Sequence, residues 1–204
     1  MSVVIIDCGL GNLHSVVRGC RKAGHEPIVA DNPAGVERAD RLILPGVGAF
    51  GNAMTAITRR GLREPILEFV ESGRPFLGIC LGMQLLFESS EEFGKPEGLG
   101  ILNGSVKRLI CDDPVPHVGW NRIHFTEHDS KSLFAGIDEG SWMYFVHSFF
   151  VDDADRKYTT SVVNYGGIEL SASICHENIH ATQFHPEKSG LKGLETLSNF
   201  LNHD

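Results

Sequence analysis

Nowhere in these 204 residues does an uninterrupted apolar run approach the roughly 18 residues a membrane-spanning helix needs, so a helical membrane protein is excluded. The first seven residues carry neither a basic leader nor a small-residue cleavage site, which makes a cytoplasmic protein the expectation. Basic residues are the minority: 18 Lys and Arg against 26 Asp and Glu leave a net charge of −8. Phosphate-backbone binding needs clustered Lys and Arg, so nucleic acid is not an expected partner. Cysteine is sparse and odd in number, and Cys8, Cys20, Cys80, Cys111 and Cys175 show no C-x-x-C spacing. Neither a disulfide framework nor a zinc ribbon fits that pattern. No Pro/Ser-rich linker, low-complexity tract or internal repeat divides the chain, so one α/β domain over residues 1–204 is expected.

What is present is an alternation of short β-branched runs with helix-compatible segments. Residues 3–6, 27–30, 41–44 and 75–79 read as strands, and 13–23 and 52–71 as helices, with a further helix-like run after residue 79. Strands alternating with helices indicate crossover units and a mainly parallel, flavodoxin-like sheet flanked by helices. The second half changes character. Alternating segments at 106–109, 122–125, 142–146, 159–163, 172–175 and 181–184 read as additional antiparallel strands of that sheet, and a helix over 191–201 closes the chain.

Gly78-Ile79-Cys80-Leu81-Gly82, where a buried strand meets a helix, has the G-x-nucleophile-x-G form with Cys in the nucleophile position. A sharp strand-to-helix turn should lift the Cys80 side chain into solvent, with the flanking glycines relieving crowding. It leaves the amide of Leu81 free to hydrogen-bond an oxyanion. Taken alone, the motif reads equally as a buried cysteine in a glycine-rich turn. Its context is Gln183-Phe184-His185-Pro186-Glu187, where Pro186 biases His185 toward extended geometry. In an extended segment residues two apart point to one side, so His185 and Glu187 can act as a base and the acid that orients it. The third piece, the stretch from Leu44-Pro45-Gly46-Val47-Gly48 to Gly51, is another glycine-rich loop after a strand, without the Lys-Ser/Thr ending of a P-loop. Loops at the carboxyl ends of parallel strands converge, so it can face Cys80 and offer a second backbone donor.

His176-Glu177-Asn178-Ile179-His180 matches the H-E-x-x-H string of zinc hydrolases, which needs both histidines on one helical face. The flanking residues alternate like strands. Glu177-Asn178 is therefore read as a hairpin turn, and no metal is expected.

With these residues assembled, the chain resembles the class I (triad-type) glutamine amidotransferases nearly end to end. To the motifs above are added Pro116-His117-Val118-Gly119-Trp120-Asn121, Tyr144-Phe145-Val146-His147-Ser148 and the Lys188-Ser189-Gly190 continuation. The Pro-Gly-Val-Gly and His-x-Gly-Trp-Asn forms are similar to the histidine-biosynthesis branch. The resemblance implies that Cys80 attacks the carboxamide of glutamine, releasing ammonia and leaving a thioester that water hydrolyses to glutamate. His185 is then the acid/base, Glu187 its orienting partner, and the amides of Leu81 and Val47 the oxyanion donors. Gly48, Gln84, His147, Ser148 and Phe149 align with positions that hold glutamine in this family. No cofactor is implied.

Ammonia in water is largely protonated, and the chain shows no acceptor site. The resembled branch has a heterodimer partner, a (β/α)8-barrel cyclase that takes ammonia through a channel and transforms a phosphoribulosyl intermediate; Asn12 and Trp120-Asn121 would face it. A paralogue supplying another synthase, such as a sugar-modifying amidotransferase, shares the same triad and stays open on the sequence.

Overall fold

The computed structural model describes residues 1–9, 13–127, 133–153 and 156–202. Three short, largely apolar strands make its centre, with a fourth beside them at the edge: β1 (Val3–Ile6) is buried throughout, and the helix α1 (Leu13–Lys22) returns the chain to the edge strand β2 (Ile28–Ala30). Helix α2 (Pro33–Glu37) leads to β3 (Arg41–Gly46), and α3 (Phe50–Arg59) and α4 (Arg63–Glu71) lead to the fully buried β4 (Phe76–Cys80). After one turn of helix, α5 (Leu81–Gln84), come β5 (Phe87–Ser90), β6 (Leu102–Arg108), β7 (His117–Phe125) and β8 (Trp142–His147). Strands β9 (Phe149–Asp152), β10 (Thr159–Tyr165), β11 (Ile168–His176) and β12 (Ile179–Thr182) precede a 3-10 turn at Pro186–Lys188 and the last helix, α6 (Gly190–Asn202).

Nine strands form one sheet in the order β2-β1-β3-β4-β12-β11-β10-β7-β8. The first five run parallel, in the 2-1-3-4-5 arrangement of flavodoxin-like folds with β12 as the fifth strand; the remaining pairings are antiparallel. Because side chains alternate, each central strand feeds both faces. Val4, Ile6, Leu42, Leu44 and Phe76 pack with α2, α3 and α4 on one side. Val3, Ile5, Ile43, Leu77 and Ile79 pack with α1 and α6 on the other. Burial on both sides is why these strands read as continuous apolar runs rather than alternating ones.

The structure differs from the sequence expectation in five places. The strand expected over 181–184 as an antiparallel addition is β12, which is antiparallel to β11 but parallel to β4 and so completes the parallel half. The helix expected over 52–71 is two helices, because the chain turns at Gly61 with φ +67°, the left-handed conformation that ends α3. The run after Cys80 stays helical for a single turn. Main-chain bonds from Leu99 to Leu85 and from Ile101 and Leu102 to Leu86 draw it into an extended path that continues as β5. Residues 106–109 do not join the main sheet: β6 pairs with β5 and β9 in a separate three-stranded sheet. Its apolar side, with Phe87, Leu102, Val106 and Val151, packs onto the α3/α4 side of the core. Finally, α2 and β9 had no counterpart in the sequence expectation.

The topology gathers three carboxyl-terminal strand ends at one edge. Gly46 of β3 pairs with Cys80 of β4, and Thr182 of β12 pairs with Ile79. The turn that follows Cys80 can lie against β3 only because Gly82 has no side chain, since a Cβ there would fall 1.8 Å from the Leu44 carbonyl oxygen. At Gly78 a Cβ would stand 2.8 Å from the Gly82 oxygen.

Gly82→Ala should therefore destabilise the fold by about 2 kcal/mol or more, as overpacking against backbone does. Gly51→Ala in α3, where the nearest atom would be 3.6 Å away, is the control and should be neutral or slightly stabilising. Urea unfolding of both variants checks this; equal midpoints would contradict it.

Candidate active site

Cys80 sits at the bend itself, with φ 55° and ψ −109°. A non-glycine residue held there costs on the order of 1–3 kcal/mol, which the surrounding packed strands must sustain. The side chain is not lifted into solvent as expected: Cys80 is only 6% exposed, because the segment after β12 and the end of β8 cover it. Its sulfur lies 3.9 Å from the Val146 carbonyl oxygen and accepts from Gln183 Nε2 at 3.6 Å.

His185 follows β12 in extended geometry, φ −96° and ψ 98°. Its amide donates to the Tyr144 carbonyl at 2.9 Å, and the Ser189 hydroxyl donates to the His185 carbonyl at 2.7 Å while accepting from the Tyr144 amide. The histidine backbone is thus tied to β8. Glu187 does not reach it along an extended face as expected. Pro186 starts a 3-10 turn, and Glu187, inside that turn, bends back so that Oε1 meets His185 Nδ1 at 2.9 Å. Both side chains are buried. Helix α1 packs closely on this turn through Gly19, where a Cβ would stand 2.8 Å from Leu197 Cδ2 and 3.4 Å from Glu187 Cβ.

Burial alone would lower the His185 pKa, but its interactions with Cys80 and Glu187 more than offset this and push it up to about 10. A cationic imidazole between a sulfur and a carboxylate is a proton donor in waiting. Its Nε2 has no full hydrogen bond among the described residues, and neither does Glu187 Oε2.

In front of Cys80 opens a cavity of about 440 Å³. Val47, Gly48, Leu81, Gln84, His147, Ser148 and Phe149 line it with Cys80, whereas His185 and Glu187 stand behind the thiol. Every residue singled out from the sequence for catalysis, oxyanion binding or glutamine contact thus lies in this one region. Leu81 opens α5, so its amide belongs to the set without an intrahelical partner.

Glu92, Pro116, Val146 and Lys188 also line the cavity and were not singled out as site residues. Pro116, Val146 and Lys188 lay within recognised motifs, but Glu92 belongs to a polar Ser-Ser-Glu-Glu stretch with no local signal. Its Oε2 accepts from the Phe50 amide at 2.5 Å, so it caps the start of α3 directly after the Val47-Gly48 loop.

Two donors of Gln84 are committed to the protein, to Phe149 O and Gln183 Oε1, both at 2.9 Å, which leaves its Oε1 for a ligand. His147 has no ring nitrogen to spare. Its Nδ1 donates to Phe149 O at 3.0 Å, so its Nε2 must accept, and does so from His117 Nδ1 at 3.1 Å. Burial keeps both rings neutral, His147 down at about 3 and His117 at about 4.

The H-E-x-x-H string is a hairpin: His176 pairs with Ile179 between β11 and β12, with Glu177 at φ 52°. The helical face that would present two histidines to zinc does not form. Asn12 lies outside the described residues.

A family model described as glutamine amidotransferase class-I matches residues 4–203. Imidazole glycerol phosphate synthase subunit HisH of Syntrophotalea carbinolica is 49% identical over 205 residues, covering 97% of this chain and 98% of that protein. The subunit of the same name from Nostoc punctiforme is 46% identical over 201 residues, covering 98% and 94%. Among solved structures, PurLQS from Thermotoga maritima superposes with a TM-score of 0.76 at 18% identity, covering 98% of this chain and 97% of that one. A glutamine amidotransferase from Thermotoga maritima gives 0.65 at 18%, covering 97% and 80%.

The charges around the two buried histidine sites are open to measurement. Glu187→Gln removes one of the groups that raise His185, so the ring should titrate at least one pH unit lower in an imidazole NMR titration; an unchanged midpoint would contradict the pairing. His147 is held neutral by burial but binds a proton near pH 6.5 once unfolded, so stability should fall as pH drops below 6.5, by up to about 1.4 kcal/mol per unit from this group. Urea midpoints between pH 7 and 5 should show a slope that the double variant His117→Phe, His147→Met flattens.

Proposed function

Because the chain belongs to the class-I glutamine amidotransferase family, we propose that it is the glutaminase subunit of an imidazole glycerol phosphate synthase, hydrolysing glutamine and passing ammonia to a cyclase. The observation that carries the glutaminase reading is a buried cysteine at a strand-to-helix bend, backed by a buried His185 bonded to Glu187 and fronted by a cavity large enough for an amino acid. Likeness to HisH subunits over nearly the whole chain supports the histidine-biosynthesis acceptor.

In this reading the Cys80 sulfur attacks Cδ of glutamine, and the carbonyl oxygen takes up negative charge facing the amides of Leu81 and Val47. His185 gives its proton to the departing nitrogen, the carbon–nitrogen bond breaks, and ammonia leaves a γ-glutamyl thioester. His185, now neutral, takes a proton from water as the water attacks the thioester; sulfur departs and glutamate is released. Glu187 keeps the imidazole in one orientation and offsets its charge. Gly48, Gln84, Ser148 and Phe149 hold the amino-acid end, and His147, with both ring nitrogens engaged, lines the same wall. The Gln84 Oε1 suits the α-ammonium because both its N–H groups are engaged elsewhere. Glu92 adds a carboxylate to the same wall.

The cyclase, a (β/α)8 barrel in this proposal, docks on the outer face of β7 and β8. Val118, Trp120 and Trp142 are each about half exposed there, beside Pro116 and Val146 of the cavity wall. A wall shared between the cavity and the docking face suits direct transfer of unprotonated ammonia. Asn121 turns its amide to the Asn164 carbonyl at 2.9 Å, which leaves Trp120 as the residue of that pair presented outward.

Cys80→Ala, assayed for glutamate release with the cyclase and its acceptor present, should lose activity by a factor on the order of 10⁴ or more. Retained turnover would overturn the reading. A different acceptor synthase in place of the cyclase would move the partner assignment and leave the glutaminase in place.

A further inference from the structure

The buried amide of Gln183 has no part in the reaction scheme above, yet it is the side-chain group that donates to the Cys80 sulfur, at 3.6 Å. Gln183 is fully buried, and its orientation leaves no alternative. Its Oε1 accepts from Gln84 Nε2 at 2.9 Å, so its Nε2 is the end that faces the thiol. The orientation of Gln84 is fixed in turn, because its second N–H donates to the Phe149 carbonyl. That same carbonyl accepts from His147 Nδ1, and His147 Nε2 accepts from His117 Nδ1. A continuous hydrogen-bonded chain therefore runs from β7 through the cavity wall to the nucleophile, with each donor and acceptor sense set by its neighbour.

We propose that Gln183 is a further catalytic residue: its amide N–H stabilises the Cys80 thiolate, and the Gln84–Phe149–His147–His117 chain aims it. The inference rests on Cys80 being the nucleophile. A hydrogen bond to a charged acceptor is stronger than one to a neutral acceptor, so the contact is worth most when the sulfur is anionic, before attack and again as it departs from the thioester. In the thioester the sulfur is uncharged and the bond weakens. As a thiol, Cys80 has the Val146 carbonyl, 3.9 Å away, as its acceptor; as a thiolate it has Gln183 Nε2 as donor. Glutamine in this place supplies a donor without a second positive charge beside His185.

The test is the pH dependence of Cys80 alkylation by iodoacetamide, followed by mass spectrometry of the Cys80 peptide in the isolated chain, with no need for glutamine or a partner. In Gln183→Met, which keeps the bulk and removes the donor, the midpoint should move about one pH unit higher, so that alkylation below it is about tenfold slower. Gln183→Glu, which places an anion beside the sulfur, should move it further. Gln183→Asn keeps an amide but withdraws it by one methylene; it should show an intermediate shift and serves if the methionine variant does not fold. Profiles that superpose on the parent in a folded variant would overturn the inference alone. A parent in which Cys80 reacts no faster than Cys111 would overturn the nucleophile assignment as well.

Discussion

The carbonyl oxygen of Leu44 occupies the space where any side chain on residue 82 would sit, and the whole candidate site hangs on that contact. Because β3 and the turn of α5 touch through bare backbone, Cys80 is forced to bend at positive φ, and the loop after Gly46 lies beside it in register. The strain is held by fully buried strands on either side, β3 and β12, whose registers with β4 are fixed by packing on both faces of the sheet. Rigidity in the parallel half of the sheet therefore serves the site directly.

The antiparallel half contributes the polar environment. Register shifts in β10 mark where this half is irregular, a feature that sharpens twist, and the edge strand β8 binds the His185 backbone through Tyr144. His185 then carries charge in a buried place, which is sustainable because the Glu187 carboxylate is bonded to one ring nitrogen and the Cys80 sulfur interacts favourably with the charge from the other side. Nearby, His147 and His117 are buried with no carboxylate hydrogen-bonded to either ring among the described residues, and burial keeps them neutral even though Asp113 acts weakly to raise His117. The same residue type serves as charged acid/base in one position and as an uncharged link in a hydrogen-bonded chain in the next, a few ångströms of environment deciding between them.

Much of this was readable in the chain. Buried parallel strands announce themselves as apolar runs, and the two glycines around Cys80 and the His-Pro-Glu segment named the chemistry. The features that local sequence does not carry have physical causes. The helix after Cys80 was cut to one turn by main-chain bonds to residues 99–102, which no local pattern contains. Helix α2 was in fact signalled, by Asn32 as a cap and Pro33 at its first turn, and its five residues were too few for periodicity to show. Glu187 reached His185 through a turn instead of an extended face, so the right pairing was read from the wrong geometry. The burial of Cys80, the capping by Glu92 and the role of Gln183 depend on segments far apart in sequence.

The claim that one of five cysteines is a nucleophile poised for a glutamine side chain is most directly tested with a glutamine-like diazo-ketone electrophile and peptide mapping. One adduct per chain should form, on the peptide containing Cys80, blocked by excess glutamine and absent in His185→Ala. An adduct on Cys8, Cys20, Cys111 or Cys175 instead, or none at all in the presence of the partner, would contradict it.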